Sequence, residues 1–394
     1  MFERLEALPD DAILKLIAEY RDDPRAQKID LGVGVYRDEQ GRTPILDSVK
    51  EAERRIVREQ QSKAYLGSGG DPVVNAALQE LIFGVEHGAS ERITTLHTPG
   101  GSGALRVAAG LLLRAGPEAT VWVSEPTWNN HVPLLGGAGL QLDGYPYYAG
   151  DTHRVQFTQM LDALHKMPDG DIVLLHGCCH NPTGMDLSHE QWREVAAVIA
   201  ARNLLPFVDM AYQGFAEDLE ADAWPVRLLF DTVPEMLVAS SCSKNFGLYR
   251  DRIGSLSLVS RDAATSAVVR SQAHNIVRTL YSVPPDHGSA IVAQILGDTA
   301  LHESWLLELK GMRERLQSMR SLLVSALHEH APAHDFSHIE LANGLFCYLG
   351  VTTAQVARLK ADYAIYLVGS GRINVAGITP GNVDYLAASV AAVL

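Results

Sequence analysis

The segment richest in chemistry is Ser240-Ser241-Cys242-Ser243-Lys244-Asn245-Phe246-Gly247-Leu248-Tyr249-Arg250-Asp251-Arg252-Ile253-Gly254. A lysine just past an apolar run and ringed by hydroxyls suits a Schiff-base nucleophile. Its amine attacks only when neutral, and partial burial lowers its pKa. An isolated lysine at a strand end is ordinarily a solvated one; the pattern around Lys244 argues otherwise. Arg252 offers a planar fork to a phosphate, and Ser241 and Ser243 add hydroxyl donors. Upstream, Pro99-Gly100-Gly101-Ser102-Gly103 opens a helical pattern with Val107, Ala108, Leu111 and Leu112 on its apolar side. Glycines followed by free helix N–H groups make an anion cradle, although many Gly-rich helix starts are simple turns. No Gly-Lys-Ser/Thr follows, so this is no P-loop. It is not Gly-x-Gly-x-x-Gly either, which weighs against nicotinamide chemistry.

Phe207-Val208-Asp209 ends another apolar run, with Tyr212 three residues on. An Asp at a buried strand end needs a cationic partner. A protonated pyridine nitrogen would serve, and Tyr212 could donate to a phenolate oxygen. The alternative is an N-cap Asp beside a core Tyr. His176-Gly177-Cys178-Cys179-His180 looks at first like a metal cluster. Side chains alternate along an extended strand, so ligands this close do not all converge, and no metal is expected. Asn181-Pro182-Thr183-Gly184 reads as a tight turn beyond that strand. His328, His330 and His334 are expected to meet the last carbonyls of a helix and solvent.

These residues need elements to hold them. Val121-Trp122-Val123, Ile172 to Leu175, Leu204 to Val208 and Met236 to Ala239 read as buried parallel strands. Helical patterns alternate with them. Ser188-His189-Glu190-Gln191 has the form of a capping box, and Trp192, Val195, Ala196 and Ile199 follow at helical spacing. Such β–α alternation implies a sheet covered by helices on both faces, with ligands beyond the carboxyl ends of its strands. Leu301, Trp305, Leu309, Met312, Leu316, Met319 and Leu323 recur at three- and four-residue steps. They predict one long helix that carries the chain into a second, smaller unit containing Asn343 to Tyr348 and a terminal helix.

Composition narrows the partners. With 394 residues the chain is too long for one small core. Lys and Arg number 33 against 47 Asp and Glu, a net charge of −14. An acidic chain without a dense basic stripe is a poor nucleic-acid binder. No apolar run is long enough to span a bilayer. Met1-Phe2-Glu3-Arg4 lacks the basic stretch of a secretory signal, and four cysteines make no disulfide framework. A reducing cytoplasm is the expected setting.

Taken together, the landmarks are Gly32-Val33-Gly34-Val35-Tyr36, Tyr65-Leu66-Gly67, Gly100-Gly101-Ser102-Gly103, Trp128 with His131, Cys178 to Gly184, Asp209-Met210-Ala211-Tyr212-Gln213-Gly214, Ser241 to Gly254, Arg278 to Pro285, and Ser370-Gly371-Arg372. In this order, from Met1 to Leu394, the chain resembles a class I pyridoxal-phosphate aminotransferase of the aspartate and aromatic-amino-acid subgroup. The resemblance implies an α/β fold of type I among pyridoxal-phosphate enzymes: a large domain with a mostly parallel sheet covered by helices, plus a smaller α+β domain. It implies an N-terminal arm over 1–11, a small domain from 12–43 with 312–394, and a large cofactor-binding domain over 44–311. It implies a homodimer with shared active sites.

Residue by residue, the resemblance makes Lys244 the covalent attachment point of pyridoxal 5'-phosphate and the base that moves the Cα proton. Asp209 pairs with the ring nitrogen, Tyr212 and Asn181 contact the ring oxygen, and Trp128 stacks on the ring. Gly101, Ser102, Ser241, Ser243 and Arg252 bind the phosphate, with Tyr65 reaching in from the neighbouring subunit. Arg250 does not match the phosphate arginine and is expected in solvent. Arg372 clamps the substrate α-carboxylate with help from Asn181 and the backbone at Gly34. Arg278, from the other subunit, matches the residue that takes a distal carboxylate.

Arg278 implies that aspartate, glutamate and 2-oxoglutarate fit. Three positions depart from the aspartate-type pattern: Val283 stands where Asn is usual, Ala64 where Asn is common, and Ser102 where Thr is usual. Each removes bulk or polarity near the side-chain pocket. Val35, Arg37 and Thr43 keep the aspartate-type pattern. The reading is an aromatic-amino-acid aminotransferase of broad specificity, moving the amino group of tyrosine, phenylalanine or aspartate to 2-oxoglutarate; the alternative is a plain aspartate aminotransferase. A β-lyase or decarboxylase on the same apparatus is disfavoured by Arg278, and a silent binding protein by the presence of Lys244.

Overall fold

The computed structural model describes residues 1–8 and 11–394; residues 9 and 10, inside the predicted arm 1–11, lie outside the described residues. Seven strands form one sheet: β1 (Ile93–Pro99), β2 (Thr120–Glu125), β3 (Gln141–Pro146), β4 (Ile172–His176), β5 (Leu205–Met210), β6 (Met236–Ser241) and β7 (Ile253–Val259). Their spatial order is β1-β7-β6-β5-β4-β2-β3. The four runs read from sequence are β2, β4, β5 and β6, and these pair in parallel. Alternate residues of β4 enter different cores. Val173 and Leu175 belong to one, Ile172 and Leu174 to the other, as both faces of a helix-covered parallel sheet require.

Only β7 is reversed; it runs antiparallel to both β1 and β6. The chain between β6 and β7, residues 242–252, is shorter than the dozen or so residues a parallel crossover needs. The segment richest in chemistry is therefore a hairpin loop at one end of the sheet. Gly254 lets three backbones meet there: an added Cβ would stand 2.4 Å from the Ser240 carbonyl oxygen and 2.6 Å from the Gly100 carbonyl carbon.

The helix Gly100–Ala115 follows β1 and buries Ala104, Leu105, Val107, Ala108 and Leu112. The expected long helix is Thr299–His330, and all seven of its predicted apolar positions are buried. Trp305 on it stacks on Phe246 at 4.3 Å and donates from Nε1 to the Asn245 carbonyl at 2.7 Å. The helix thus pins the turn that follows Lys244. Truncating a buried Trp of this kind costs about 3 to 5 kcal/mol.

Beyond that helix, Phe346–Tyr348 pairs antiparallel with Arg372–Asn374, and Tyr348 stands opposite Arg372. Ile29–Asp30 pairs in parallel with Ile365–Tyr366, which ties the N-terminal stretch to the C-terminal one. The capping box at Ser188 and Gln191 is formed as read. A second box, Thr352 with Gln355, starts a helix over Thr353–Tyr363 that the reading did not resolve. His328, His330 and His334 are exposed as expected, and His330 in addition meets Asp384 of the terminal helix at 2.8 Å. The terminal helix packs back along the long one, so a side chain in its last turn faces a neighbour.

Candidate active site

A cavity of about 200 Å³ opens beyond the carboxyl ends of β4, β5 and β6. Twelve of the fourteen residues singled out from the sequence line it: Gly34, Gly101, Ser102, Trp128, Asn181, Asp209, Tyr212, Ser241, Ser243, Lys244, Arg252 and Arg372. Tyr65 and Arg278 do not. Tyr65 is 93% exposed and lines a separate surface groove with Ala64, Tyr281 and Val283. Arg278 is exposed in the last turn of the helix Ala263–Leu280, and its Nη1 donates to Ser282 Oγ. Arg250 is exposed, as expected.

One end of the cavity is built for an anion. No side chain caps the helix that starts at Gly100, so its first N–H groups are free. Ser241 Oγ lies 3.0 Å from Ser243 Oγ, and Arg252 Nη1 lies 3.4 Å from it. Gly100 (φ 69°) leaves room for the arginine: a Cβ there would stand 2.5 Å from Arg252 Nη2. Backbone donors, two hydroxyls and a guanidinium around one opening suit a phosphate monoester.

At the centre, Lys244 Nζ lies 4.8 Å from the centroid of the Tyr212 ring. Burial pushes the Lys244 amine down to about 8, against the pull of Asp209; Arg252 lowers it further. About a tenth of the amine is therefore neutral and nucleophilic at pH 7, and about half at pH 8. Asp209 is buried at the end of β5. Burial alone would raise its carboxyl. The His131 hydrogen bond, with His131 and Lys244 nearby, outweighs that and holds it below the usual carboxylate range.

His131 was noted in the sequence only as a landmark. Its Nε2 lies 3.0 Å from Asp209 Oδ2 and its Nδ1 lies 2.7 Å from Thr127 Oγ1. Thr127 Oγ1 in turn lies 3.2 Å from His176 Nε2. Burial, with His131 close by, pushes His176 down to about 3, so that ring is neutral.

The opposite wall carries Arg372, buried on the strand Arg372–Asn374. Its Nη2 donates to the Gly32 carbonyl at 3.1 Å, and its Nη1 lies 3.4 Å from Asn181 Oδ1. Its Nε is buried without a partner. Asn181 Nδ2 also lies 3.5 Å from Tyr212 Oη. The guanidinium sits 4.2 Å from the centroid of the Phe346 ring, a contact the sequence reading missed. Phe346 also explains Gly34, where a Cβ would stand 2.9 Å from Cζ of that ring. A desolvated guanidinium with an unpartnered N–H, facing a cavity, suits a carboxylate.

His176 and His180 do turn away from the thiols, His180 towards Ser124 and Thr183. The two cysteines do not diverge. Cys179 has φ 50°, which breaks the strand alternation and brings both thiols to one side.

The chain matches the family model described as aminotransferase class I and II over residues 26–390. It is 48% identical to the aromatic-amino-acid aminotransferase of Pseudomonas aeruginosa, covering all of this chain and 98% of that protein. It is 46% identical to the aspartate aminotransferase of Salmonella typhi, with both chains covered in full. Among solved structures it resembles the aromatic-amino-acid aminotransferase of Burkholderia pseudomallei covalently bound to pyridoxal phosphate, with a TM-score of 0.98, 43% identity, and coverage of 100% and 99%.

Proposed function

The chain belongs to the class I and II aminotransferase family, and we propose that within it the protein is an aromatic-amino-acid aminotransferase of broad specificity that uses pyridoxal 5'-phosphate and accepts dicarboxylates. The observation that carries this reading is that one cavity is lined by a lysine whose amine is pushed down to about 8, a carboxylate held below its ordinary range, and an uncapped helix start beside Ser241, Ser243 and Arg252. Identity does not decide the substrate, because the aromatic and aspartate relatives lie at 48% and 46%. Val283, Ala64 and Ser102 favour the aromatic reading. The exposed guanidinium of Arg278 favours aspartate as a second donor.

The donor set fits the cofactor. Gly101, Ser102, Ser241, Ser243 and Arg252 would hold its phosphate, Asp209 its ring nitrogen, Tyr212 and Asn181 its ring oxygen, and Trp128 one face of its ring. Bound there, pyridoxal phosphate supplies an electrophilic carbonyl carbon and a ring that accepts electron density from the substrate Cα.

The chain's own residues do the rest. Lys244, neutral in part, is the nucleophile that attaches the cofactor. With its amine free, it would be the base that removes the Cα proton and the acid that returns one. Asp209, its carboxyl held down by His131, would hold a proton on the ring nitrogen. Arg372 fixes the α-carboxylate and so aims the Cα–H bond; Asn181 holds Arg372 on one side and the Tyr212 hydroxyl on the other.

The proposal includes a homodimer with shared sites, with Tyr65 and Arg278 supplied across the interface. Both are exposed and away from Lys244 in one chain. Met1, Phe2, Leu5 and Leu8 of the arm 1–11 are also exposed, as apolar side chains awaiting a partner would be. We divide the chain into a small domain, 12–43 with 312–394, and a large domain, 44–311, on the strength of the pairing of Ile29–Asp30 with Ile365–Tyr366. Among the described residues no helix is long and apolar enough to cross a membrane. Four unpaired cysteines suit a reducing cytoplasm. The deciding experiment is a panel of amino donors with 2-oxoglutarate, following each 2-oxo acid. Turnover of tyrosine and phenylalanine within tenfold of aspartate supports the reading, and turnover of aspartate alone overturns it.

A further inference from the structure

Behind the turn that carries Asn181, three donor atoms gather outside the substrate cavity. Cys178 Sγ, Cys179 Sγ and a carboxylate oxygen of Asp222 all lie within 4.8 Å of one another, and all three side chains are buried. A tetrahedral cation with metal–sulfur bonds of about 2.3 Å sets its ligands roughly 3.5 to 3.8 Å apart, so a small closure of side chains already within 4.8 Å would suffice. We propose that Cys178, Cys179 and Asp222 form a binding site for a thiophilic divalent cation, of which zinc and cadmium are the type.

The surroundings support a site rather than a chance cluster. Asp222 is fixed in place by the backbone N–H groups of Gly214 and Ala216 on Oδ2, at 2.8 and 3.0 Å. Its Oδ1 takes only the Glu217 N–H, at 3.0 Å, and keeps a lone pair for a metal. Cys179 Sγ has only weak partners to give up, a 4.0 Å contact with the Tyr212 carbonyl and the adjacent Cys178 thiol. A cavity of about 320 Å³, lined by Cys178, Asp222 and Asp186, adjoins the cluster. It provides a route in and room for a fourth ligand from solvent. Each thiol loses its proton as a metal–sulfur bond forms, so two protons leave per cation and no oxidant is needed. Cys179 stands two residues before Asn181, and the N–H groups on Asp222 belong to the loop after Tyr212. The site is thus built on the outer side of two walls of the substrate cavity.

The test is a cadmium titration of the holoenzyme, following the ultraviolet sulfur-to-cadmium charge-transfer band, which nitrogen or oxygen ligands do not give. The expected result is saturation at one cadmium per chain. Cys178→Ser and Cys179→Ser should each weaken binding at least tenfold, with Asp222→Asn keeping the band at about tenfold lower affinity. Cys242→Ser should bind cadmium unchanged. No band in the unmodified enzyme, or a band undiminished in the Cys178→Ser/Cys179→Ser double variant, overturns the proposal. If the double variant does not fold, anomalous diffraction from cadmium in crystals of the unmodified enzyme decides: a peak between the two sulfurs supports the site, and peaks only elsewhere overturn it.

Discussion

His131 Nε2 stands 3.0 Å from Asp209 Oδ2, with both side chains buried. The pair matters because burial alone would raise the Asp209 pKa, and the His131 hydrogen bond works against it. His131→Leu removes the hydrogen bond, so the Asp209 pKa rises and the acid limb of the kcat/KM profile moves to higher pH. A hydrogen bond to a charged group contributes about 1.5 to 3 kcal/mol, so the acid limb should move up by about one to two pH units, with the loss of kcat/KM confined to acid pH. Stability follows the same sign. A carboxylate depressed on folding stabilises the protein above its unfolded pKa and loses that contribution as pH falls through the folded value. An unmoved acid limb in His131→Leu would show that the pair is packing alone.

Lys244 gives a prediction on the alkaline side. Its amine is pushed down to about 8 by burial. The rate at which enzyme stripped of cofactor captures pyridoxal phosphate should rise through about pH 8, where the amine becomes neutral. Because the folded value lies below the unfolded one, the stripped protein should also gain stability between about pH 8 and 10. Lys244→Ala should bind the cofactor without covalent attachment and lose nearly all turnover. Steady turnover in that variant would remove Lys244 from the mechanism.

Much of this site was legible because chemistry and periodicity coincide in short segments. Lys244 follows an apolar strand, and Asp209 ends one. What was missed depends on contacts between distant segments. His131 meets Asp209 across 78 residues, and nothing local marks which of 15 histidines does so. Phe346 reaches Arg372 only because their strands pair. The reversal of β7 follows from a connection length that could have been counted. The Thr352-Thr353-Ala354-Gln355 capping box was equally there to be read. The convergence of Cys178 and Cys179 was not, since it hangs on one residue with positive φ.

The two arginines should separate by substrate. Every amino acid presents an α-carboxylate, so Arg372→Ala should weaken all of them. Losing a desolvated bidentate partner costs about 3 to 5 kcal/mol. Only dicarboxylates present a second carboxylate, so Arg278→Ala should depress aspartate and glutamate far more than phenylalanine or tyrosine. Half-reaction rates at saturating cofactor measure both. Equal losses for the two substrate classes in Arg278→Ala would make that residue structural.

Shared sites can be tested by mixing. In one chain Arg372 lines the cavity and Arg278 does not. Arg278→Ala and Arg372→Ala homodimers should each be nearly inactive towards aspartate. Hybrids should regain activity, because one of their two sites then holds both arginines. Recovery after mixing, followed by aspartate turnover, is the expected outcome. No recovery despite proven subunit exchange would place Arg278 outside the site.

Val283 should tilt specificity towards rings. It is half-buried and lines the groove that holds Ala64 and Tyr65, five residues beyond Arg278. In the proposed shared-site dimer this groove would face the partner's substrate cavity. The valine side chain offers no hydrogen bond, so it neither anchors a guanidinium nor asks a substrate for a polar partner. Arg278 Nη1 is held instead by Ser282 Oγ, a neutral hydroxyl on an exposed surface, and is free to swing out when a ring enters. Val283→Asn supplies an amide oxygen that can hold Arg278 in place. It also sets an unsatisfied polar group beside any bound ring, at about 1 to 3 kcal/mol. The ratio of kcat/KM for phenylalanine over aspartate should therefore fall about tenfold or more. If Val283 only packs against Pro284 and never meets substrate, both substrates will change in parallel through stability or cofactor occupancy. Half-reactions at saturating pyridoxal phosphate remove the occupancy effect, and an unchanged ratio under those conditions retires the role assigned to Val283.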